Sequence, residues 1–196
     1  MERYNAILFC GPPGSGKGTQ CQKLAADQGY FHFSTGEMLR HFDSSTELGS
    51  MVRNLIDQGQ FVSDDLITSL TRETLAMYVR QGKFNPHKQY LLLDGIPRNE
   101  AQVSLAASFA HVEQIILLAV PEGICLERIA ARALREQRFD DNDEKKVKGR
   151  LEWYKTATAP LLRCYDAKII FAVNGAGTIE QVYQEIKQKI VKKKIK

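Results

Sequence analysis

The sequence predicts an α/β fold in which a parallel sheet is covered by helices on both faces. Short apolar segments alternate with helical patterns along most of the 196 residues. The segments are uniformly apolar, which is typical of parallel strands buried on both faces. A glycine-rich loop joins the first apolar segment to the first helix. Because ligands of such sheets bind beyond the carboxyl ends of the strands, we expect the functional site at that edge.

The core is predicted to hold five strands and six helices. Strands are expected at residues 4–10, 31–33, 90–93, 114–120 and 168–173, and helices at residues 16–28, 65–81, 101–109, 122–135, 143–165 and 178–191. Gly29 and Pro121 are stop signals for the first helix and the fourth strand. Residues 34–63 lack a good strand and residues 132–142 are short and polar, so both segments are expected to be insertions. Residues 1–33, 64–131 and 143–196 then form the core.

Composition is that of an ordinary globular domain. Hydrophobic residues make up 43% of the chain, charged residues make up 26%, and the net charge of +4 suits an anionic substrate without requiring one. No segment approaches the ~20 apolar residues of a membrane span. The four cysteines are scattered with no C-x-x-C spacing, which indicates reduced thiols and argues against a zinc site. A cytoplasmic location with no membrane partner is expected.

The most informative segment is the glycine-rich loop G-P-P-G-S-G-K-G-T at residues 11–19. Its glycines let backbone N–H groups turn inward around phosphate oxygens, and Lys17 supplies a point charge. A strand precedes the loop and a helix follows it, which is the context that distinguishes a phosphate loop from a glycine-rich turn with a chance lysine. Gly18 stands where most phosphate loops carry the Ser or Thr that binds Mg²⁺, and Thr19 comes one place later.

This form of the loop resembles that of the adenylate kinase family, and further segments are similar to motifs of that family. S-T-G-E-M-L-R at residues 34–40 resembles its monophosphate-binding segment, with Glu in place of the usual Asp. L-D-G-I-P-R at residues 93–98 resembles its D-G-F-P-R, with Ile96 in place of Phe. R-F-D-D at residues 138–141 resembles its lid motif, although Gln137 replaces the usual glycine. The resemblance covers nearly the whole chain.

The resemblance implies a P-loop NTPase fold with a five-stranded parallel sheet and reversible transfer of the γ-phosphoryl group of Mg²⁺-ATP to AMP, giving two ADP. The insertion 34–63 would bind the monophosphate, and residues 132–142 would form a short lid over ATP. The implied ATP-binding residues are Gly11, Gly14, Ser15, Gly16, Lys17, Gly18, Thr19, Arg128 and Arg132. The implied AMP-binding residues are Thr35, Arg40, Gln60, Val62, Gly95, Arg98, Gln102, Arg138 and Arg150.

The implied catalytic residues are one lysine and four arginines. They are Lys17, Arg98, Arg132, Arg138 and Arg150. Guanidinium groups grip phosphate oxygens in bidentate fashion, which suits a reaction that needs negative charge neutralised. Arg128 and Arg132 are four residues apart on one helix face, and the resemblance places both around the transferring group. Arg135 lies outside the motifs and is expected to be a solvated surface residue.

Magnesium is the one cofactor that the resemblance implies. Asp94 matches the carboxylate that orients the hydrated ion, and the absence of a hydroxyl at Gly18 fits a metal held largely through water. Pro97 is expected to follow a cis peptide bond in the manner of the family. Asp141 and Glu144 are expected to cap the next helix, because the surrounding acidic residues lack the spacing of a calcium loop.

The closest alternative is a UMP/CMP kinase of the same fold. Thr35 and Gln102 favour AMP, whereas Asn99 is the residue usual in the pyrimidine enzymes. A GTPase is disfavoured because no N-K-x-D motif is present. The lysines near the C-terminus raise a nucleic-acid-binding alternative, but basic residues at a helix C-terminus are stabilised by the helix dipole without any partner. We expect a monomer that binds ATP and AMP and no nucleic acid.

Overall fold

A computed structural model describes residues 3–41, 45–57, 62–136 and 141–191. Its sheet contains five parallel strands, as the sequence predicts, and their order is β2-β3-β1-β4-β5. The strands are β1 Tyr4–Cys10, β2 Phe31–Ser34, β3 Leu91–Asp94, β4 Ala110–Ala119 and β5 Ile170–Asn174. The first strand of the chain is therefore the central strand of the sheet.

Alternate residues of the central strands pack into separate cores on the two faces of the sheet. Leu8 and Leu93 belong to one core, and Ile7, Phe9 and Leu92 belong to the other. Each of these side chains is at most 2% exposed. Burial on both faces explains why the strands are uniformly apolar, and it confirms the predicted layer of helices on each side.

Strand β4 begins four residues earlier than its apolar segment. Residues 110–112 pair with the start of β1, and a register shift between Ala6 and Ile7 precedes the apolar part. The exposed His111 interrupts the apolar pattern between Ala110 and Val112, so this first part of the strand has a weaker signal. Backbone pairing with β1 and the burial of Ala110 extend the strand past this residue.

Eight α-helices surround the sheet in the described part of the chain. They are α1 Lys17–Gln28, α2 Thr35–Arg40, α3 Glu47–Asp57, α4 Asp64–Arg80, α5 Glu100–Ala106, α6 Glu122–Glu136, α7 Glu144–Trp153 and α8 Ile179–Lys189. Helices α2 and α3 form the segment that the sequence predicts as the monophosphate insertion. No helix among the described residues is long and apolar enough to cross a membrane.

The single helix predicted over residues 143–165 is in fact three consecutive segments. Helix α7 ends at Trp153 and is followed by a π-helical turn at Tyr154–Thr158 and a 3₁₀ segment at Pro160–Cys164. The Ala159 N–H bonds to the Tyr154 carbonyl at 2.7 Å, five residues back. Pro160 lacks an N–H and cannot continue a regular α-helical ladder, which accounts for the change of pitch.

The capping assignment for α7 is wrong. Asp143 is the N-cap, and its carboxylate accepts from the N–H groups of Lys145 and Lys146. Glu144 lies in the first turn and forms an ion pair with Lys148. Asp141 lies outside the helix and contacts two arginines instead.

The four cysteines are free thiols, as predicted. Three of them are buried, and burial raises the pKa of Cys10 to about 12 even though Lys17 acts to lower it. Among the described residues, no cluster of His, Cys, Asp and Glu side chains could hold a metal ion by itself.

Candidate active site

A cleft of about 400 Å³ lies at the carboxyl ends of β1, β2 and β3. It brings together most of the residues that the sequence assigns to the site. Those lining it are Gly11, Gly14, Gly16, Lys17, Gly18, Thr19, Arg40, Asp94, Gly95, Arg98, Arg132 and Arg150. Ser15, Thr35, Val62, Gln102 and Arg128 do not line this cleft. Gln60 and Arg138 lie outside the described residues.

The phosphate loop is built from backbone conformations that require glycine. Gly16 caps α1 with a φ of 94°, and Gly14 has a φ of 80°. A Cβ atom on Gly14 would collide with the carbonyl oxygen of Cys125. The loop is therefore held between β1, α1 and α6 by its main chain, and the N–H groups at a helix start have the polarity that suits an anion.

Lys17 lies inside this loop. Its Nζ donates to the carbonyl oxygens of Gly11 at 2.8 Å and Pro12 at 3.1 Å, and to Ser15 Oγ at 3.4 Å. Burial lowers the pKa of Lys17, while the nearby Asp94 carboxylate acts to raise it. An ammonium group that is removed from water in this way is well suited to bind phosphate oxygens.

Asp94 ends β3 beside the loop. Burial by itself would raise the pKa of Asp94, but His32, Lys17 and Arg98 outweigh that effect and lower it. The imidazole Nε2 of His32 lies 3.6 Å from Asp94 Oδ2. A carboxylate kept ionised at the mouth of a phosphate loop has the charge that a hydrated divalent cation requires.

Arg98 lines the cleft and is held by three hydrogen bonds. Its Nε donates to the Gly95 carbonyl at 2.8 Å, its backbone N–H donates to Gln102 Oε1 at 2.7 Å, and its carbonyl accepts from Thr158 Oγ1 at 2.7 Å. Burial lowers the pKa of Arg98, and Asp94 opposes that shift. The peptide bond before Pro97 is cis, as the resemblance implies.

Arg132 and Arg150, called the arginine pair below, are joined through Asp141. Arg132 donates from Nε and a terminal nitrogen to the two carboxylate oxygens at 2.7 and 3.0 Å, and Arg150 donates at 2.5 Å. The Asp141 side chain is fully buried, whereas each arginine side chain is 26% exposed. Burial would raise the pKa of Asp141, but the hydrogen bonds from the two guanidinium groups lower it.

Arg128 differs from the expectation that it surrounds the transferring group with Arg132. Its guanidinium donates to the carbonyls of Gly175 at 2.8 Å, Ala176 at 3.3 Å and Gly177 at 3.1 Å. It therefore braces the loop between β5 and α8. Arg135, predicted to be a solvated residue, is 72% exposed and pairs with Glu136 at the rim of the cleft.

The two residues predicted to favour AMP, Thr35 and Gln102, lie at the start of α2 and in the first turn of α5. The Thr35 hydroxyl is buried and has no hydrogen-bond partner among the described residues. A Cβ atom on Gly95 would come within 2.5 Å of that hydroxyl, so glycine makes room for it. Gln102 is 6% exposed and contacts Asp64, which the sequence reading missed because S-D-D at residues 63–65 reads only as a helix start.

Asn99 has a structural role, so its presence does not require a pyrimidine nucleotide as the acceptor. Its side-chain oxygen caps α5 by accepting from the Gln102 N–H at 2.8 Å, and its Nδ2 donates to Asp64. The π-helical turn adds Tyr154 and Thr158 to the wall of the cleft. The sequence pattern gave no signal for these two residues, because a π turn looks like any other helical segment.

Comparisons with known proteins agree with this geometry. The family model described as adenylate kinase matches residues 9–170. The chain is 39% identical to an adenylate kinase of Thermus thermophilus over 194 residues, which cover 95% of this chain and 97% of that protein. It is 36% identical over 191 residues to an adenylate kinase of Prochlorococcus marinus, covering 94% and 97% of the two chains. For an adenylate kinase of Deinococcus deserti the identity is 35%, with coverage of 92% and 93%. The chain belongs to the adenylate kinase family.

Proposed function

We propose that this protein catalyses the reversible transfer of the γ-phosphoryl group of ATP to AMP, giving two ADP. The observation that carries the proposal is the convergence of Lys17, Arg98 and the arginine pair on one cleft at the carboxyl ends of the strands. Transfer between two nucleotides brings several phosphate groups to one place, and their charge must be neutralised there. The adenylate kinase relatives support AMP as the acceptor rather than UMP or CMP.

The assignment of roles follows the placement of each group. The phosphate loop would hold the ATP phosphates through its N–H groups, with Lys17 near the β- and γ-phosphates. Arg40 and Arg98 would hold the α-phosphate of AMP, and the arginine pair would stabilise the group in transit. Arg138 completes this set by resemblance. Arg128 is assigned to the ATP side through the loop 175–177, which its guanidinium holds.

Magnesium fits the residues present. Asp94 supplies an ionised carboxylate oxygen beside the loop, and Gly18 offers no hydroxyl, so the ion would be held through water by Asp94 and by the nucleotide phosphates. When bound, it would neutralise charge on the phosphate oxygens. The chain's own contribution is the orientation of that hydrated ion.

The two insertions would close over the substrates. Residues 34–63 would cover AMP and the short lid 132–142 would cover ATP, which excludes water as a competing acceptor. Arg132 and Asp141 lie at the two ends of the lid segment, so closure would position the arginine pair at the same time. The enzyme is proposed to act as a cytoplasmic monomer without nucleic-acid or membrane partners.

A coupled assay of ADP formation tests the proposal. Mg²⁺-ATP is supplied as donor, and AMP, UMP, CMP and GMP are compared as acceptors. We expect kcat/KM for AMP to exceed that for each other acceptor by at least about tenfold, because unpaired polar groups in a base pocket discriminate strongly. Preference for UMP or CMP would replace the acceptor assignment, and no transfer to any of the four would refute the kinase assignment.

A further inference from the structure

We propose that Asp64 sets the base specificity of the acceptor site by fixing the orientation of the Gln102 side-chain amide. The inference rests on the proposed function and on the assignment of Gln102 to the AMP site, where its side-chain amide would read the base of the acceptor. Asp64 is the first residue of α4 and directly follows the monophosphate insertion. Its Oδ1 accepts from Gln102 Nε2 at 2.6 Å, and both of its oxygens lie 3.0 Å from Asn99 Nδ2.

The other end of the Gln102 amide is fixed as well. Its Oε1 accepts from the backbone N–H of Arg98 at 2.7 Å. A backbone N–H only donates and an ionised carboxylate only accepts. Rotating the amide by 180° would therefore place its NH₂ group against the Arg98 N–H, donor against donor. It would also place its oxygen against the Asp64 carboxylate, acceptor against acceptor. Since Gln102 is 6% exposed, water could not readily relieve these contacts, and the surroundings allow one orientation.

This restriction has a chemical consequence for the purine that can bind. The Gln102 amide keeps one N–H and one oxygen lone pair beyond the contacts to Asp64 and Arg98. Adenine presents an amino donor at C6 beside an acceptor at N1. Hypoxanthine and guanine present the reverse, a carbonyl acceptor at C6 beside an N–H donor at N1. A freely rotating amide could pair with either pattern, whereas an amide held in one orientation pairs with one of them.

Asp64 therefore acts as a positioning residue that selects 6-aminopurine over 6-oxopurine monophosphates. It holds the amide nitrogen on one side, and the Arg98 N–H holds the oxygen on the other. Asn99 contributes by holding the carboxylate in place while it caps α5. The network explains why the half-buried carboxylate of Asp64 lies against the Gln102 amide.

The test compares AMP with IMP. IMP differs from AMP only in having a carbonyl in place of the amino group at C6 and a proton on N1. We measure kcat/KM for both acceptors in the wild type, in Asp64→Ala and in Asp65→Ala. Asp65 is the matched control, because it is also an acid in the first turn of α4 but is exposed. The ratio of AMP to IMP is expected to fall about tenfold in Asp64→Ala and to stay unchanged in Asp65→Ala.

If Asp64 had a purely structural role, Asp64→Ala would lower kcat/KM for AMP and for IMP in the same proportion. An unchanged AMP-to-IMP ratio in this variant would therefore overturn the proposal. Asp64→Asn keeps the shape of the side chain and serves if the alanine variant does not fold. Its amide can itself rotate to accept from or donate to Gln102, so the ratio is expected to fall here too, by less. An unchanged ratio in Asp64→Asn alongside a folded, active enzyme would count against the proposal. Failure of the proposed function would look different, since the wild type would then not phosphorylate AMP.

Discussion

Two groups of residues assigned to phosphate binding line the same cleft, and they are held by different forces. The phosphate loop is fixed by its main chain, because Gly14 and Gly16 adopt positive φ angles and a Cβ on Gly14 would collide with the Cys125 carbonyl. The arginine pair is held by charge, through the buried carboxylate of Asp141. A backbone-built site tolerates changes of charge and pH, whereas a site organised by one carboxylate depends on both.

The largest effect is expected for Lys17→Met in the phosphate loop. Removing this cation should lower kcat by about 10²–10³-fold, which is the usual loss when a group that stabilises transition-state charge is deleted. The melting temperature should not fall, because the loop is held by its backbone and burial disfavours the lysine charge. Lys23→Met is the control, since Lys23 lies on the same helix but pairs with Glu180 at 3.1 Å. Near-normal turnover in Lys17→Met would show that Lys17 does not stabilise the transferred phosphoryl group.

The next effect concerns the carboxylate that organises the arginine pair. Asp141→Asn is expected to lower kcat by about 10–100-fold, because weaker hydrogen bonds from a neutral amide position both guanidinium groups less firmly. Unlike Lys17→Met, this variant should also melt at a lower temperature. Asp143→Asn is matched to it, since it removes the same charge two residues away and Asn still caps a helix. Equal activity of the two variants would show that Asp141 does not position the arginines.

The same carboxylate predicts a difference in pH dependence between the two groups. The folded-state pKa of Asp141 is lowered, so its contribution to the free energy of unfolding is fully present above the unfolded value of about 3.9. That contribution is lost as pH falls through the folded pKa. Urea unfolding of wild type and Asp141→Asn should therefore give a constant difference in free energy above about pH 5 and a shrinking one below about pH 4. A difference that stays constant down to pH 3 would contradict the role of the ionised carboxylate.

The same contrast explains what could be predicted from the sequence. The sheet and the phosphate loop depend on local signals, namely uniformly apolar segments and glycines at fixed positions. The predicted sheet is confirmed, and the loop glycines adopt positive φ angles. Arg98 and the arginine pair follow from motif resemblance, and the structure brings them to the cleft. The partners of these arginines were not predicted. Asp141 was expected to be a helix cap, and its true contacts join α6 to a residue that precedes α7.

Asp64 and Thr158 were missed for a related reason. Each acts through a contact to a residue far away in the chain, Gln102 in one case and Arg98 in the other. Hydrogen bonds between distant segments leave no periodic or spacing signal. The π-helical turn that carries Thr158 is likewise a consequence of tertiary packing and of Pro160, and it interrupts a pattern that otherwise predicts one continuous helix.

The smallest effect is expected at Arg98, which is held both by its own loop and by a side chain from a distant segment. Its side chain is bound to the Gly95 carbonyl of its own loop, and its backbone is tied to the π-helical turn by Thr158 Oγ1. Thr158→Val removes that hydrogen bond with little change in shape, so kcat/KM for AMP should fall about fivefold, which corresponds to about 1 kcal/mol. Thr158→Ser keeps the hydroxyl and should restore most of the activity.

Thr156→Val is the matched control for this last variant. Thr156 lies in the same turn, but its hydroxyl donates to the Glu152 carbonyl on the exposed side. If Thr158 positions Arg98, the control keeps wild-type kcat/KM while Thr158→Val loses activity. Equal losses in the two valine variants would mean that the turn responds to any missing hydroxyl. Arg98 would then depend on its own loop alone, and its support would resemble that of the phosphate loop rather than that of the arginine pair.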